Sequence, residues 1–215
     1  MEIHLNDEIG RHTGIIENPN PNSDLRLYEK QIPNSYYFEF GEKKYAGADR
    51  KPTTVALKGK DLGVFSLDIK EVLGEDIISS AKFSNIPISE NTTATMQIED
   101  GTNNIVLNID CDSNGTSDIS IKPSEGYSAK DALGVLAEIV RSLSMNEKTK
   151  NILIQKIQSA EKQVEKNNLN AAYSMLKNIK HIVIVFSGKL TPAQDRIPQD
   201  EADKLLRILD TIKIK

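Results

Sequence analysis

The sequence predicts a multidomain β plus α chain, with an N-terminal antiparallel β-sandwich of about eight strands and a C-terminal antiparallel four-helix bundle. Two observations lead to this prediction. From Ile3 to about Ile121 apolar and polar residues alternate, whereas after Pro123 the apolar residues recur every three or four positions. Clusters of Gly, Asn, Asp and Pro also divide the first half into short segments, as in sandwiches. We therefore expect a β-sandwich domain at residues 1–124 and a four-helix bundle domain at residues 125–215.

Each expected strand is a short alternating segment bounded by turn residues. Phe65, Leu67 and Ile69, for example, share one face of their segment while polar residues share the other, which indicates that one face is buried. The expected strands are 3–6, 35–40, 53–58, 63–71, 77–83, 92–99, 103–110 and 118–121.

Four series of apolar residues at helical spacing predict the helices. Asn167 and Asn168 separate the second series from the third, Gly188 follows the third, and Pro198 stands where the fourth helix begins. The series are Ala132, Leu136, Ile139 and Leu143; Leu153, Ile157, Ala160 and Val164; Leu169, Ala172, Leu176, Ile179, Val183 and Phe186; and Ala202, Leu205, Leu209 and Ile212.

Composition argues against several classes of protein. A net charge of −4 with dispersed Lys and Arg gives no electrostatic reason to expect nucleic acid. No apolar run approaches the roughly 18 residues of a membrane span, and the single Cys111 rules out an internal disulfide. The first residues lack the basic and apolar regions of an export signal, so the chain is either cytosolic or a fragment whose signal lies upstream.

The histidines do not predict a catalytic or zinc site. His4 falls in the first expected strand, His12 in a turn and His181 in the third expected helix, so none has a second histidine at metal-binding spacing. No other motif names a nucleophile or a phosphate loop. We therefore expect no catalytic residues and no enzymatic activity.

Residues 110–118, here called the Asp loop, resemble the first nine positions of a calcium-binding loop. Oxygen-bearing side chains recur at alternate positions and Gly115 stands at position six, where a sharp turn is needed. Position twelve, a bidentate Glu in EF-hands, is Ile121, and both flanks alternate like strands. The sequence thus predicts a calcium site on a β-hairpin. The predicted metal ligands are Asp110, Asp112, Asn114, Thr116 and Asp118.

The Asp loop also permits an interpretation without metal. Asn114-Gly115 between alternating segments is the strongest short-range signal for a two-residue type I′ hairpin turn. Against this, three carboxylates would crowd around one tight turn, and like charges that face each other across strands destabilise the pair. Both interpretations stay open at this point.

A small group of aromatic residues raises a second function, the binding of a glycan or another ligand. Tyr36, Tyr37, Phe38 and Tyr45 form the only local aromatic cluster, and Tyr36 and Phe38 share one face of their expected strand. We expect that face to belong to the hydrophobic core. A glycan partner would require it to be exposed.

Three segments of the first half resemble a module of large secreted bacterial and archaeal proteins. They are residues 3–14, with their Gly-Arg-His-Thr-Gly ending; residues 29–36, which read Glu-Lys-Gln-Ile-Pro-Asn-Ser-Tyr; and the Asp loop. In that family the module often follows a hydrolase domain or belongs to a cell-surface protein. Asn114 stands where the family pattern has Asp, and Cys111 is unusual for it.

The second half resembles the FIMAH-type helical bundle found at the C-termini of such proteins. The similarity lies in residues 160–172, which contain Asn-Asn-Leu-Asn-Ala-Ala, and in Ser187-Gly188-Lys189 followed by residues 200–206. The two resemblances imply a non-catalytic accessory region of an exported or cell-surface protein. Its partner would be an upstream domain of the same polypeptide or a cell-surface component.

Overall fold

Antiparallel pairing organises the first 121 residues of the computed structural model, which describes residues 1–20, 22–49, 54–98, 105–123 and 128–214. Eleven strands lie within these described ranges. They are β1 (Glu2–Asn6), β2 (His12–Ile16), β3 (Leu27–Lys30), β4 (Ser35–Phe40), β5 (Lys43–Ala48), β6 (Thr54–Lys58), β7 (Gly63–Leu73), β8 (Asp76–Ile88), β9 (Thr93–Gln97), β10 (Leu107–Asp110) and β11 (Ile119–Ile121).

Seven of the strands form one antiparallel sheet in the order β11-β10-β9-β6-β1-β2-β3. The other four form two separate hairpins, β4–β5 and β7–β8. Alternation fixes which face of the sheet is buried: Ile3 pairs with Leu57 and Leu5 with Val55, and all four side chains lie in the core.

All eight expected strands are present in the described residues, although their ends differ. The expected strand 103–110 is shorter, because Ile105 and Val106 precede β10 without strand structure, while residues 103 and 104 lie outside the described ranges. Residues 53 and 99, at the ends of two other expected strands, also lie outside them. Three strands were not expected from the sequence, namely β2, β3 and β5. Gly14 and Gly47 interrupt the alternation of β2 and β5, and β3 has only four residues, so each gives a weak pattern.

Four α-helices follow in the described part of the second half: α1 (Ala129–Ser142), α2 (Glu147–Glu165), α3 (Leu169–Ser187) and α4 (Gln199–Thr211). Side-chain caps define where three of them begin. Ser128 Oγ accepts a hydrogen bond from Asp131 N–H, Asn146 Oδ1 from Lys148 N–H and Asn168 Oδ1 from Ala171 N–H. Among the described residues, no helix is long and apolar enough to cross a membrane.

Helix α1 packs against the β-strands as well as against the other helices. Val135 and Ile139 belong to the hydrophobic cluster of the strands, whereas Leu133 and Leu136 belong to the cluster of the helices. Helix α4 also contacts β7, and Lys204 Nζ lies 2.8 Å from the carboxylate of Asp61 in the segment before β7. The helices therefore lie directly on the β-rich half.

The mixed β plus α prediction is confirmed by the large antiparallel sheet and the four helices. The more detailed description as a sandwich and a bundle stays a prediction, as does the division at residues 1–124 and 125–215. The predicted boundary falls on residues 124 and 125, which lie outside the described ranges.

The packing of α1 gives a stability prediction. Ile139 is completely buried, so Ile139→Ala should lower the free energy of unfolding by about 2–5 kcal/mol through lost burial and a residual cavity. Ile184→Ala on α3 is the matched control, because that side chain is 54% exposed. Urea unfolding followed by circular dichroism measures both. Equal losses in the two variants would contradict the packing described here.

Candidate metal centre

The Asp loop connects β10 to β11 and is wider than a two-residue turn. The last paired residues are Ile109 and Ile119, and the residues with positive φ are Ser113 (57°) and Gly115 (86°). A type I′ turn at Asn114-Gly115 would need positive φ at both of those adjacent residues. The type I′ interpretation is therefore wrong, because Asn114 does not have positive φ and nine residues, 110–118, separate the last paired residues.

The carboxylate of Asp110 organises the loop around itself. Its Oδ1 accepts hydrogen bonds from the N–H groups of Asp112 (3.2 Å) and Asn114 (3.3 Å), and its Oδ2 accepts one from Gly115 N–H (2.8 Å). Asp110 is buried, with 8% of its surface exposed. A buried carboxylate needs such donors, and here the donors come from the loop whose shape they define.

Further side-chain oxygens fix the rest of the loop. Asp112 Oδ1 accepts from Asn114 N–H (3.1 Å), and Asn114 Oδ1 accepts from Thr116 N–H (2.8 Å). These are Asx turns, in which a side chain replaces a backbone acceptor two residues before the donor. At the end of the loop, Asp118 Oδ2 accepts from the N–H of Cys111 (2.8 Å). The backbone is thus held without help from an ion.

The loop brings three of the five predicted ligands together as a group that could hold a metal ion. Asp110, Asp112 and Asp118 each offer a carboxylate oxygen, and the three oxygens lie within 4.8 Å of one another. Oxygen ligands at about 2.3–2.6 Å from one calcium ion lie at most about 5 Å apart, so the spacing fits a hard cation. Asn114 and Thr116 lie exposed in the same loop, and their roles as ligands stay predictions.

Cys111 lies inside the loop but points away from solvent. Its side chain is completely buried in the hydrophobic cluster of the strands. Burial, and then the negative charge of Asp118, raise the pKa of the thiol to about 12. The thiol therefore stays protonated at neutral pH, and a protonated thiol is a poor metal ligand. Cys111 serves as packing beneath the loop.

A second polar group was missed by the sequence analysis. His12 is the first residue of β2 and not part of a turn, and its Nε2 lies 3.0 Å from Nδ1 of His4. Spacing along the chain could not show this proximity, because the hairpin of β1 and β2 creates it. Residues 12–16 gave no usable signal, because Gly14 and the adjacent Ile15 and Ile16 break the alternation of β2.

The aromatic cluster differs from its expectation. Tyr36 and Phe38 are each 49% exposed, so the prediction that their face belongs to the core is wrong. The opposite face of β4 is the buried one, through Tyr37. Strand β4 belongs to a two-stranded hairpin, and one face of this hairpin packs on the large sheet. The alternation of β4 does not indicate which of its two faces packs there.

No family model matches this chain, and no curated protein or solved structure is significantly similar to it. The resemblances to the secreted module and to the FIMAH-type bundle therefore stay predictions. What is known of the Asp loop comes from its own geometry.

The hydrogen bonds of Asp110 predict unequal roles for the loop carboxylates. Asp110→Ala should lower the free energy of unfolding by about 1–3 kcal/mol even in the presence of a chelator, because the N–H groups of Asp112 and Gly115 lose their acceptor and that of Asn114 keeps only Asp112. Asp112→Ala removes an acceptor from one N–H group only and is the matched control. Urea unfolding of both variants in chelator tests this. A loss for Asp112→Ala as large as that for Asp110→Ala would contradict it.

Proposed function

We propose that this chain is a non-catalytic structural or accessory region of an exported or cell-surface protein, stabilised by a calcium ion in the Asp loop. The observation that supports this proposal is the convergence of three carboxylates on a loop whose backbone is already held in place. In this proposal Asn114 and Thr116 complete the ligand set. The β-rich half is a sandwich and the helices form a bundle beside it.

The ligand chemistry favours calcium over other ions. The donors are oxygens, which suit hard cations, and calcium accepts the irregular ligand geometry of a loop, whereas magnesium demands near-ideal octahedral geometry. Ile121 occupies the position of the bidentate Glu of EF-hands, so one strong ligand is missing. Such a site has weak affinity, in the roughly 10⁻⁴–10⁻³ M range of extracellular modules. Weak affinity of this kind is useful where calcium is abundant, outside the cell.

Calcium at this place would stabilise the contact between the sheet and helix α1. The loop ends in β11, the edge strand, and β11 packs against α1. A Cβ at Gly134 of α1 would lie 3.4 Å from Cδ1 of Ile119, so this position of the helix is in contact range of β11. Neutralising the carboxylates favours the closed hairpin, and an ion that binds only the folded chain stabilises it by mass action.

Thermal unfolding tests the calcium proposal. At about 10 mM calcium, roughly ten times the upper end of the expected dissociation constant, the midpoint should rise by at least about 3–6 °C relative to chelator. Asp112→Asn should abolish the rise. Asp76→Asn, the same charge change at the tip of the β7–β8 hairpin, should retain it. A midpoint that calcium leaves unchanged in the unmodified chain would overturn the proposal.

The exposed aromatic face supports a second candidate function, binding of a carbohydrate or another ligand by the β4–β5 hairpin. Phe38 and Tyr45 pair across the strands, with ring centroids 4.7 Å apart and planes 12° apart. Tyr36 lies flat over Gly47, where a Cβ would be 2.6 Å from the ring. Phe40 extends the same face and is 77% exposed. Exposed apolar patches of this kind mark interaction sites.

Glycan binding by this face has a direct test. Tyr36→Ala and Tyr45→Ala should each abolish any signal that the unmodified chain gives on an oligosaccharide array, because they remove exposed rings. Tyr173→Ala on α3, an equally exposed tyrosine far from β4 in sequence, should leave the signal unchanged. An array without signal for the unmodified chain would count against this candidate and leave the calcium proposal intact.

A further inference from the structure

Strands β1, β2 and β3 place two histidines between two glutamates in one row. His4 Nδ1 lies 3.0 Å from His12 Nε2. On one side of this pair, His12 Nδ1 lies 3.0 Å from Glu29 Oε2. On the other side, His4 Nε2 lies 4.0 Å from Glu2 Oε2, which also contacts Lys60 Nζ at 3.1 Å. One nitrogen of each imidazole therefore faces a carboxylate, and its other nitrogen faces the second imidazole.

This order fixes the ring hydrogen of His12 and leaves two positions for that of His4. Glu29 lies at hydrogen-bond distance and accepts from Nδ1–H of His12, which leaves a lone pair on His12 Nε2. Glu2 is too far from His4 Nε2 for a hydrogen bond, and its negative charge only favours a hydrogen there. When both outer nitrogens carry hydrogen, both inner nitrogens present lone pairs to each other across 3.0 Å. Two lone pairs at that distance repel unless a positive centre lies between them. The arrangement is therefore suited to hold a cation.

We propose that His4 and His12 form a binding site for one divalent transition-metal ion of the copper or nickel type, coordinated by His4 Nδ1 and His12 Nε2. Imidazole nitrogen suits these ions, and a histidine that binds a metal normally donates its other N–H to a carboxylate or carbonyl. Glu29 supplies that carboxylate to His12 at 3.0 Å, and Glu2 lies 4.0 Å from the corresponding nitrogen of His4. The site is separate from the Asp loop and does not rest on the calcium proposal.

The distance between the nitrogens indicates which ions fit. Two nitrogens at about 2.0 Å from one ion and 3.0 Å from each other subtend an angle of about 97° at the metal. That angle is closer to the cis angle of roughly 90° in tetragonal copper and nickel sites than to the angle of roughly 109° in tetrahedral zinc sites. The remaining coordination positions would be filled by water, since the two rings are 22% and 18% exposed.

The absence of a side chain at Gly14 leaves space beside the two donor nitrogens. A Cβ at Gly14 would lie 3.0 Å from His12 Nε2 and 3.2 Å from His4 Nδ1, so any other residue there would crowd the two donor atoms. In the neutral pair without metal, the hydrogen of His4 can lie on Nδ1 and bridge the rings. Metal binding then requires only that this hydrogen move to Nε2, beside Glu2.

Binding of Ni²⁺ and Cu²⁺ to the intact chain tests the proposal, with saturating calcium present to occupy the Asp loop. Calorimetry should give one Ni²⁺ per chain. His4→Gln and His12→Gln should each weaken binding by more than the roughly 10–100-fold that losing an outer carboxylate costs. The electron paramagnetic resonance spectrum of bound Cu²⁺ should show coupling to two nitrogens in the unmodified chain and to one in either variant.

Two control variants keep the outcome decisive. His181→Gln removes the exposed third histidine, on α3, and should leave affinity and spectrum unchanged. Glu29→Gln preserves the shape of the side chain and both ligands, so it should weaken binding about 10–100-fold while the two-nitrogen spectrum persists. This variant tests the proposal even where a histidine variant does not fold. Absence of binding by the unmodified chain would overturn the proposal. So would undiminished affinity in folded His4→Gln and His12→Gln, which would place the metal elsewhere, such as on the N-terminal amine.

Discussion

The burial of helix α1 on nearly all sides is the constraint on which the rest of the structure depends. Seven of its fourteen residues are buried, and they fall into both hydrophobic clusters of the molecule. Completely burying a large aliphatic side chain contributes about 1.5–3 kcal/mol to the free energy of unfolding. Because α1 buries one face among the strands and another among the helices, it gains this contribution in full only while both halves are folded. The strands and the helices therefore share their stability through one element.

The Asp loop lies at the edge of this shared region, and its geometry separates two tasks. Asp110 binds the loop's own amides and is buried, whereas Asp112 and Asp118 are exposed and each retains an oxygen outside the hydrogen bonds described above. Asp110 therefore has a structural task in addition to its predicted role as a ligand, whereas Asp112 and Asp118 each offer an ion an oxygen outside those hydrogen bonds. A loop shaped in advance loses little conformational entropy when an ion binds, which partly offsets the missing twelfth-position ligand.

The sequence predicted what depends on local periodicity and missed what depends on register between strands. Alternation located eight strands, helical spacing located all four helices, and the spacing of Asp110, Asp112 and Asp118 identified the candidate metal group. The pairing of His4 with His12 could not be predicted, because β1 and β2 bring the rings together only in the folded hairpin. The exposed face of β4 depends on which side of its hairpin meets the sheet. That choice is tertiary, and alternation is the same for either outcome.

The single thiol of the chain lies under the Asp loop, completely buried and protonated. A reagent that alkylates thiols can reach Cys111 only when the loop and the end of β10 separate from the core. The rate of alkylation in native conditions therefore reports how often this corner of the molecule opens, without an introduced label. Proteins open locally with free energies well below that of global unfolding. The alkylation rate of this one thiol therefore measures local opening at the junction of sheet and helix.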